Sequence, residues 1–187
     1  MTINAVIFDR DGTLIKYVPY LKNIDDIEFY PGVINACQQL LANNIKLFMA
    51  TNQSGIARGY FTEDDYAIIE RNLIKRFAQF NVEFLSIEYC PYHPGHGGDR
   101  YQKASHFRKP NPGMLLKIIG DHDLNPHETL MVGDNRVDIE AGKNAGVQTA
   151  LVCTGLGTEF EYDESLDADF IGEDVLDVIE NFVLIDE

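Results

Sequence analysis

Ala5-Val6-Ile7-Phe8-Asp9-Arg10-Asp11-Gly12-Thr13 is the stretch on which the fold turns. Four consecutive apolar residues read as a strand buried on both faces. The run ends in two acids separated by one residue. If the chain is extended there, Asp9 and Asp11 face one pocket, because side chains alternate along a strand. A calcium loop of the helix-loop-helix type does not fit. Counted from Asp9, it needs an acid or amide at the fifth position and glycine at the sixth, where this chain has Thr13 and Leu14.

Outward from this strand the pattern repeats as strand, loop, helix. Further strands are expected at 45–50, 82–89, 129–132, 147–152 and 168–171. Pro31 opens a helix to about residue 43. Thr62 with Asp65 forms a capping box for a helix to about residue 80. Asn111 followed by Pro112 reads as an N-cap and first helical position, with the helix running to about 121. Asp138 to Ala145 is a short helix closed by Gly146, and 173–182 a last one. Alternation of this kind predicts an α/β fold: a parallel sheet with helices on both faces. In such sheets ligands bind at the carboxyl ends of the strands, near a switch point.

The polar clusters fall where that rule asks. The first strand runs into Asp9-Arg10-Asp11-Gly12-Thr13 and the second into Thr51-Asn52-Gln53-Ser54-Gly55. The loop 90–110 ends in Arg108-Lys109-Pro110, and the fourth strand runs into Gly133-Asp134-Asn135-Arg136-Val137-Asp138. Two acids alone would repel a phosphate dianion. A bound Mg²⁺ removes the difficulty, since it bridges carboxylates to phosphate, and Asp134 is the expected third carboxylate. One acid can then attack phosphorus while another moves protons. Thr51, Asn52 and the backbone at Ser54-Gly55 offer donors to developing negative charge. Lys109 supplies a point charge and Arg108 a bidentate grip. Asp138 supports the site by orienting Lys109 or a metal-bound water.

Composition narrows the rest. With 187 residues, a single domain spanning 1–187 is expected. The formal net charge of −15 argues against nucleic acid and anionic membranes as partners. The start has no basic secretory region and no apolar run reaches the ~18 residues of a membrane span, so a cytoplasmic monomer is expected. Three widely spaced cysteines make no disulfide framework, and Cys37 and Cys153 read as buried. There is no P-loop, and Gly155-x-Gly157 lacks the third glycine of a dinucleotide site.

Taken in order, the four clusters resemble the nucleophile, Ser/Thr, Lys and acidic metal motifs of the haloacid dehalogenase superfamily. The resemblance spans Val6 to Val152 and implies a three-layer Rossmann-like fold. It implies Asp9 as nucleophile and Asp11 as acid and base. It places Thr51 and Lys109 on the transferring phosphoryl group, with Asn52, Arg58 and Arg108 also binding phosphate or substrate. Mg²⁺ would be held by Asp9, Asp134 and the Asp11 backbone carbonyl. Thr51-Asn52-Gln53-Ser54-Gly55-Ile56-Ala57-Arg58-Gly59, Cys90-Pro91 and Arg108-Lys109-Pro110 are similar, more narrowly, to the heptose-bisphosphate phosphatases and their histidinol-phosphate relatives. These lack a large cap domain, so an open site and a small phosphorylated metabolite are implied. Polynucleotide 3′-phosphatases share two motifs, but the charge opposes them. A phosphomutase would need a water-excluding cap, and a non-catalytic scaffold would not need every motif acid intact.

The chain departs from that type in two places. Its members usually hold a structural zinc with a Cys-x-His and a Cys-x-Cys pair in this loop. Here Cys90 is kept, but Tyr92, Ser105 and Phe107 occupy the other ligand positions. His93, His96 and His106 could build a different site with Cys90. The expectation is a loop ordered without zinc. Asn135 stands where the heptose enzymes commonly have Lys.

Overall fold

Strand β1 (Ala5–Phe8) lies at the centre of a six-stranded sheet in the computed structural model, which describes residues 2–163 and 165–185. The other strands are β2 (Lys46–Asn52), β3 (Ser86–Cys90), β4 (Thr129–Gly133), β5 (Gln148–Val152) and β6 (Phe170–Gly172). The order is β3-β2-β1-β4-β5-β6 and every pairing is parallel. The chain builds outward from β1 through β2 to β3, then crosses to start again at β4. The switch point therefore lies between β1 and β4, where Phe8 is flanked by Met49 and Val132.

Both faces of β1 are covered, and its side chains alternate between two cores. Val6 and Phe8 pack with α1 (Val33–Ala42), α2 (Glu63–Ala78) and the final helical turns through Val175, Val178 and Ile179. Ala5 and Ile7 pack with α4 (Gly113–Asp121) and α5 (Arg136–Ala145). The remaining helices are α3 (Gly98–Tyr101), inside the long loop, and α6 (Val175–Val178), which continues as a π turn over Ile179–Val183. Among the described residues no helix is long and apolar enough to cross a membrane.

Several boundaries differ from the sequence reading. β3 pairs only over Ser86–Cys90, because the chain turns at Asn81 (φ 57°) and Val82 is still bonded back to the Phe77 carbonyl. α1 starts at Val33, after Gly32 takes a left-handed φ of 81° that Pro31 could not supply. Asn111 does not cap α4. Its amide donates to the Ser105 carbonyl at 3.0 Å, and Pro112 holds the cap position. α5 starts two residues early, because Asn135 and Asp138 form a capping box of their own. β6 is shifted to Phe170–Gly172. Cys37 is buried, its thiol pushed up to about 12 by desolvation, but Cys153 is only half-buried.

The ring of Phe77 ties α2 to the β1–α1 and α2–β3 connections, lying 4.5 Å from Phe29 and 4.9 Å from Phe84. Phe77→Ala is expected to cost about 3–5 kcal/mol. Urea unfolding should show a lower midpoint with an unchanged slope.

Candidate active site

Three buried carboxylates converge at the switch point. Asp9 follows β1, Asp134 follows β4, and Asp138 sits in the first turn of α5. One oxygen of each lies within 4.8 Å of the others. Lys109 Nζ reaches into this group, 2.7 Å from Asp9 Oδ1, 2.6 Å from Asp138 Oδ1 and 2.7 Å from the Ala50 carbonyl. Two of these contacts, to Asp9 and the Ala50 carbonyl, are hydrogen bonds, and the third is an ion pair. Burial opposes the charge on Lys109, but Asp138 and Asp9 outweigh it and raise its pKa. The second carboxylate oxygen of Asp138 accepts from the Asn135 backbone N–H at 3.0 Å, so Asp138 both caps α5 and orients Lys109.

One ammonium cannot balance three acids. Burial pushes Asp9 up to about 6, against the pull of Lys109 and with the repulsion of Asp138 and Asp11. Burial pushes Asp134 higher, to about 8, with Asp9 and Asp138 adding to it. Asp134 has polar partners, but none is a cation in direct contact: Leu156 N–H donates to it at 2.8 Å and the Thr13 hydroxyl at 3.4 Å. Hard oxygen donors with excess negative charge suit a divalent cation such as Mg²⁺. Asp9, Asp134 and Asp138 are the side chains that could hold it. The Asp11 carboxylate points elsewhere, leaving its backbone carbonyl as the atom it could add.

The donor side of the site comes from β2 and the end of the long loop. Thr51 is buried and its oxygen accepts from Gln53 Nε2 at 2.9 Å, which leaves its own proton to donate. Asn52, expected on phosphate, instead clasps the backbone of Lys109: its oxygen accepts from Lys109 N–H at 3.1 Å and its amide donates to Lys109 O at 3.0 Å. Arg108 is anchored by one donor on the Tyr92 carbonyl at 3.3 Å and lines the cavity. The cavity, of about 260 Å³, has this polar floor and a wall of Tyr17, Val18, Tyr20, Leu21 and Phe61.

The chain as a whole is similar to known proteins. A family model described as HAD-hydrolase-like matches residues 106–178. The chain is 43% identical over 152 residues to the D-glycero-beta-D-manno-heptose-1,7-bisphosphate 7-phosphatase of Pasteurella multocida, covering 81% of this chain and 82% of that one. It belongs to the phosphatases of the haloacid dehalogenase superfamily. Its identity to the D-glycero-alpha-D-manno-heptose-1,7-bisphosphate 7-phosphatase of Campylobacter jejuni is 38%, over 81% of this chain and 83% of the other. Among solved structures, the D,D-heptose 1,7-bisphosphate phosphatase of B. bronchiseptica, complexed with magnesium and phosphate, superposes with a TM-score of 0.83. That pair shares 30% identity over 96% of each chain.

Within this haloacid dehalogenase frame, two functional neighbours escaped the sequence reading. Arg10 is almost fully buried and grips both oxygens of Asp11, and Gln53 Nε2 donates to Asp11 Oδ2 at 2.8 Å. The chain bends at Arg10 instead of staying extended. Asp9 and Asp11 thus line one cavity but belong to different charge clusters. Arg58, expected on phosphate, is not among the residues lining that cavity. Its guanidinium lies 3.0 Å from His93 Nε2 and 3.0 Å from His96 Nε2. The long loop is knitted by local contacts: buried Ser105 accepts from Phe107 N–H at 3.2 Å, and Lys103 lies over the Tyr92 ring at 3.7 Å. Among the described residues, the one group of three or more His, Cys, Asp and Glu placed to share a metal is the acid triad at the switch point.

Asp134 is walled in by backbone. A Cβ on Gly155 (φ 53°) would fall 2.2 Å from Asp134 Oδ2. Gly59 (φ 73°) has nothing within 4 Å of such a Cβ. Both alanine variants carry left-handed strain of roughly 1–3 kcal/mol, but only Gly155→Ala pushes on Asp134. Gly155→Ala should therefore raise the Mg²⁺ concentration needed for half-maximal activity, and Gly59→Ala should not.

The raised acids also set a pH dependence. Unfolded aspartates titrate near ~3.9, so the folded metal-free chain holds extra protons between there and the values of about 6 and about 8 for Asp9 and Asp134. That stabilisation is complete below the unfolded value and is lost as pH rises through the folded ones. A bound cation takes the place of those protons. Mg²⁺ should therefore raise the melting temperature more at about pH 8.5 than at about pH 5; an equal gain at both would count against the acid triad as its site.

Proposed function

We propose that this protein is a Mg²⁺-dependent phosphomonoesterase that forms an aspartyl-phosphate on Asp9. Its proposed substrate is a D-glycero-D-manno-heptose 1,7-bisphosphate, from which it removes the 7-phosphate. The observation that carries the reading is Lys109, held in contact with both Asp9 and Asp138 beside Asp134.

In this reading an Asp9 carboxylate oxygen attacks phosphorus and the bond to the sugar oxygen breaks. Asp11 gives its proton to that oxygen, then takes one from the water that hydrolyses the aspartyl-phosphate. Thr51 donates its hydroxyl proton to a phosphoryl oxygen. Lys109 keeps Asp9 ionised and aimed. Its ammonium is enclosed by Asp9, Asp138 and the Ala50 carbonyl, so it reaches phosphate from beside Asp9. Asp9, Asp134 and the Asp11 carbonyl would hold Mg²⁺, which would supply positive charge against the phosphoryl group that the acids otherwise repel. Asp138 acts through Lys109.

The substrate assignment is supported by the names of the relatives, which share the 7-phosphate and differ at the anomeric carbon. Arg108 has donors to spare for the distant phosphate, and the aromatic wall suits one face of a sugar. A phosphate-release screen with Mg²⁺ tests this. Heptose 1,7-bisphosphate should give the highest kcat/KM in a panel that includes histidinol phosphate, and chelation should abolish turnover. Asp9→Asn should lower turnover by about 10³-fold or more. Wild-type rates from that variant would sink the mechanism, while a faster histidinol phosphate would replace only the substrate.

A further inference from the structure

Arg10 is the largest side chain in the fully buried set, with 1% of its surface exposed. Its guanidinium forks onto Asp11, with Nε 3.0 Å from Oδ2, and one terminal nitrogen 3.0 Å from Oδ1 and 2.8 Å from Oδ2. Its plane lies over the ring of buried Tyr66, 5.5 Å from the centroid, and Tyr66 is fixed in turn by donating to Glu70 at 2.7 Å. The other terminal nitrogen of Arg10 is buried without a hydrogen-bond partner. A buried guanidinium with an unpartnered nitrogen is weak as a stabilising device, since apolar residues of similar volume fill such space as well or better.

Counting lone pairs gives it another role. A carboxylate accepts at about four sites, two on each oxygen. On Asp11, Oδ2 takes Arg10 Nε and Gln53 Nε2, so it is closed. Oδ1 takes one proton from the terminal nitrogen of Arg10 and keeps one site open. We propose that Arg10, with Gln53, is a positioning residue that leaves Oδ1 as the one oxygen of Asp11 able to carry the catalytic proton. The proposal rests on the reading of Asp11 as acid and base. The same fork keeps Asp11 out of the Asp9, Asp134 and Asp138 cluster. Gln53 also donates to Thr51, which ties the proton carrier to the phosphate donor.

In the step concerned, the bond from Asp9 oxygen to phosphorus forms and the bond from phosphorus to the leaving oxygen breaks. The electron pair stays on the leaving oxygen. A primary alkyl leaving group needs the proton from Oδ1, whereas nitrophenolate leaves without one. The test therefore compares two esters, a primary alkyl phosphate and p-nitrophenyl phosphate, by rapid-mixing measurement of the first turnover. Wild type, Arg10→Met, Arg10→Lys, Gln53→Leu and Asp11→Asn are compared.

Arg10→Met should lower the alkyl rate about 10²-fold more than the aryl rate, the size of a lost general acid, with KM for both esters little changed. Arg10→Lys keeps the charge without the fork and should recover part of the difference. Gln53→Leu should show the same selectivity more weakly, and carries the test if Arg10→Met does not fold. Equal loss on both esters, or no loss, overturns the assignment of Arg10. If Asp11→Asn shows the alkyl selectivity and the Arg10 and Gln53 variants do not, the acid-base reading stands and this proposal falls. If Asp11→Asn slows both esters alike, the two fall together.

Discussion

The ammonium of Lys109, enclosed by Asp9, Asp138 and the Ala50 carbonyl, is the contact around which the molecule is arranged. It joins the end of β1, the first turn of α5, a strand carbonyl of β2 and the last residues of the long loop. Without it, adjacent acids would be buried with no counter-charge, and a buried carboxylate without a partner neutralises by taking up a proton. The ionised form of Asp9 therefore depends on a residue a hundred positions away. The classical strand order supplies the geometry. Crossing from β3 back to β4 brings Asp134 and Asp138 opposite Asp9, and no local feature of either segment could do so.

The charges near the cavity divide into two groups. Asp9 and Asp138 share Lys109, Asp134 stands beside them with no cation in contact, and the three retain an excess that a divalent cation would balance. Asp11 is matched one to one by Arg10. This separation lets neighbouring acids behave differently in one site. The triad remains responsive to protons and metal, while Asp11 is held by fixed donors. In a chain with a net charge of −15, Arg10, Arg108 and Lys109 bring three cations to the lining of this cavity.

Much of this was legible in the sequence, for a physical reason. Strands buried on both faces are short apolar runs, and at β1, β2 and β4 the first polar residues after the run lie at the sheet's carboxyl edge. Asp9, Thr51 and Asp134 could be placed by that rule alone. Asp138 could be placed in support of the site, orienting Lys109 or a metal-bound water, and the structure shows it in contact with Lys109. The parts that escaped depend on how the chain bends between residues. Arg10 was unassigned because the extended alternation assumed for 9–11 breaks at the bend. Asn52 looked like a phosphate donor because composition cannot tell a side chain aimed at a ligand from one aimed at a neighbouring backbone. Arg58 carries a phosphate-binding residue type but turns to His93 and His96. β3 was drawn too long because apolar residues from Val82 onward fill the core before the chain reaches the sheet.

Asn52 touches both ends of the long loop. Its backbone stands opposite Cys90 in the β2–β3 ladder, where that loop begins, and its side chain holds Lys109, where it ends. One residue thus closes some twenty others into a ring, with Arg108 and Lys109, the residues of that ring that line the cavity, at the clasp. Lengthening such a span adds little closure entropy, since the penalty grows only with the logarithm of length. The length of the ring can therefore change while the clasp on Lys109 stays the same. The clasp uncouples the position of Lys109 from the course of the chain between Cys90 and Arg108.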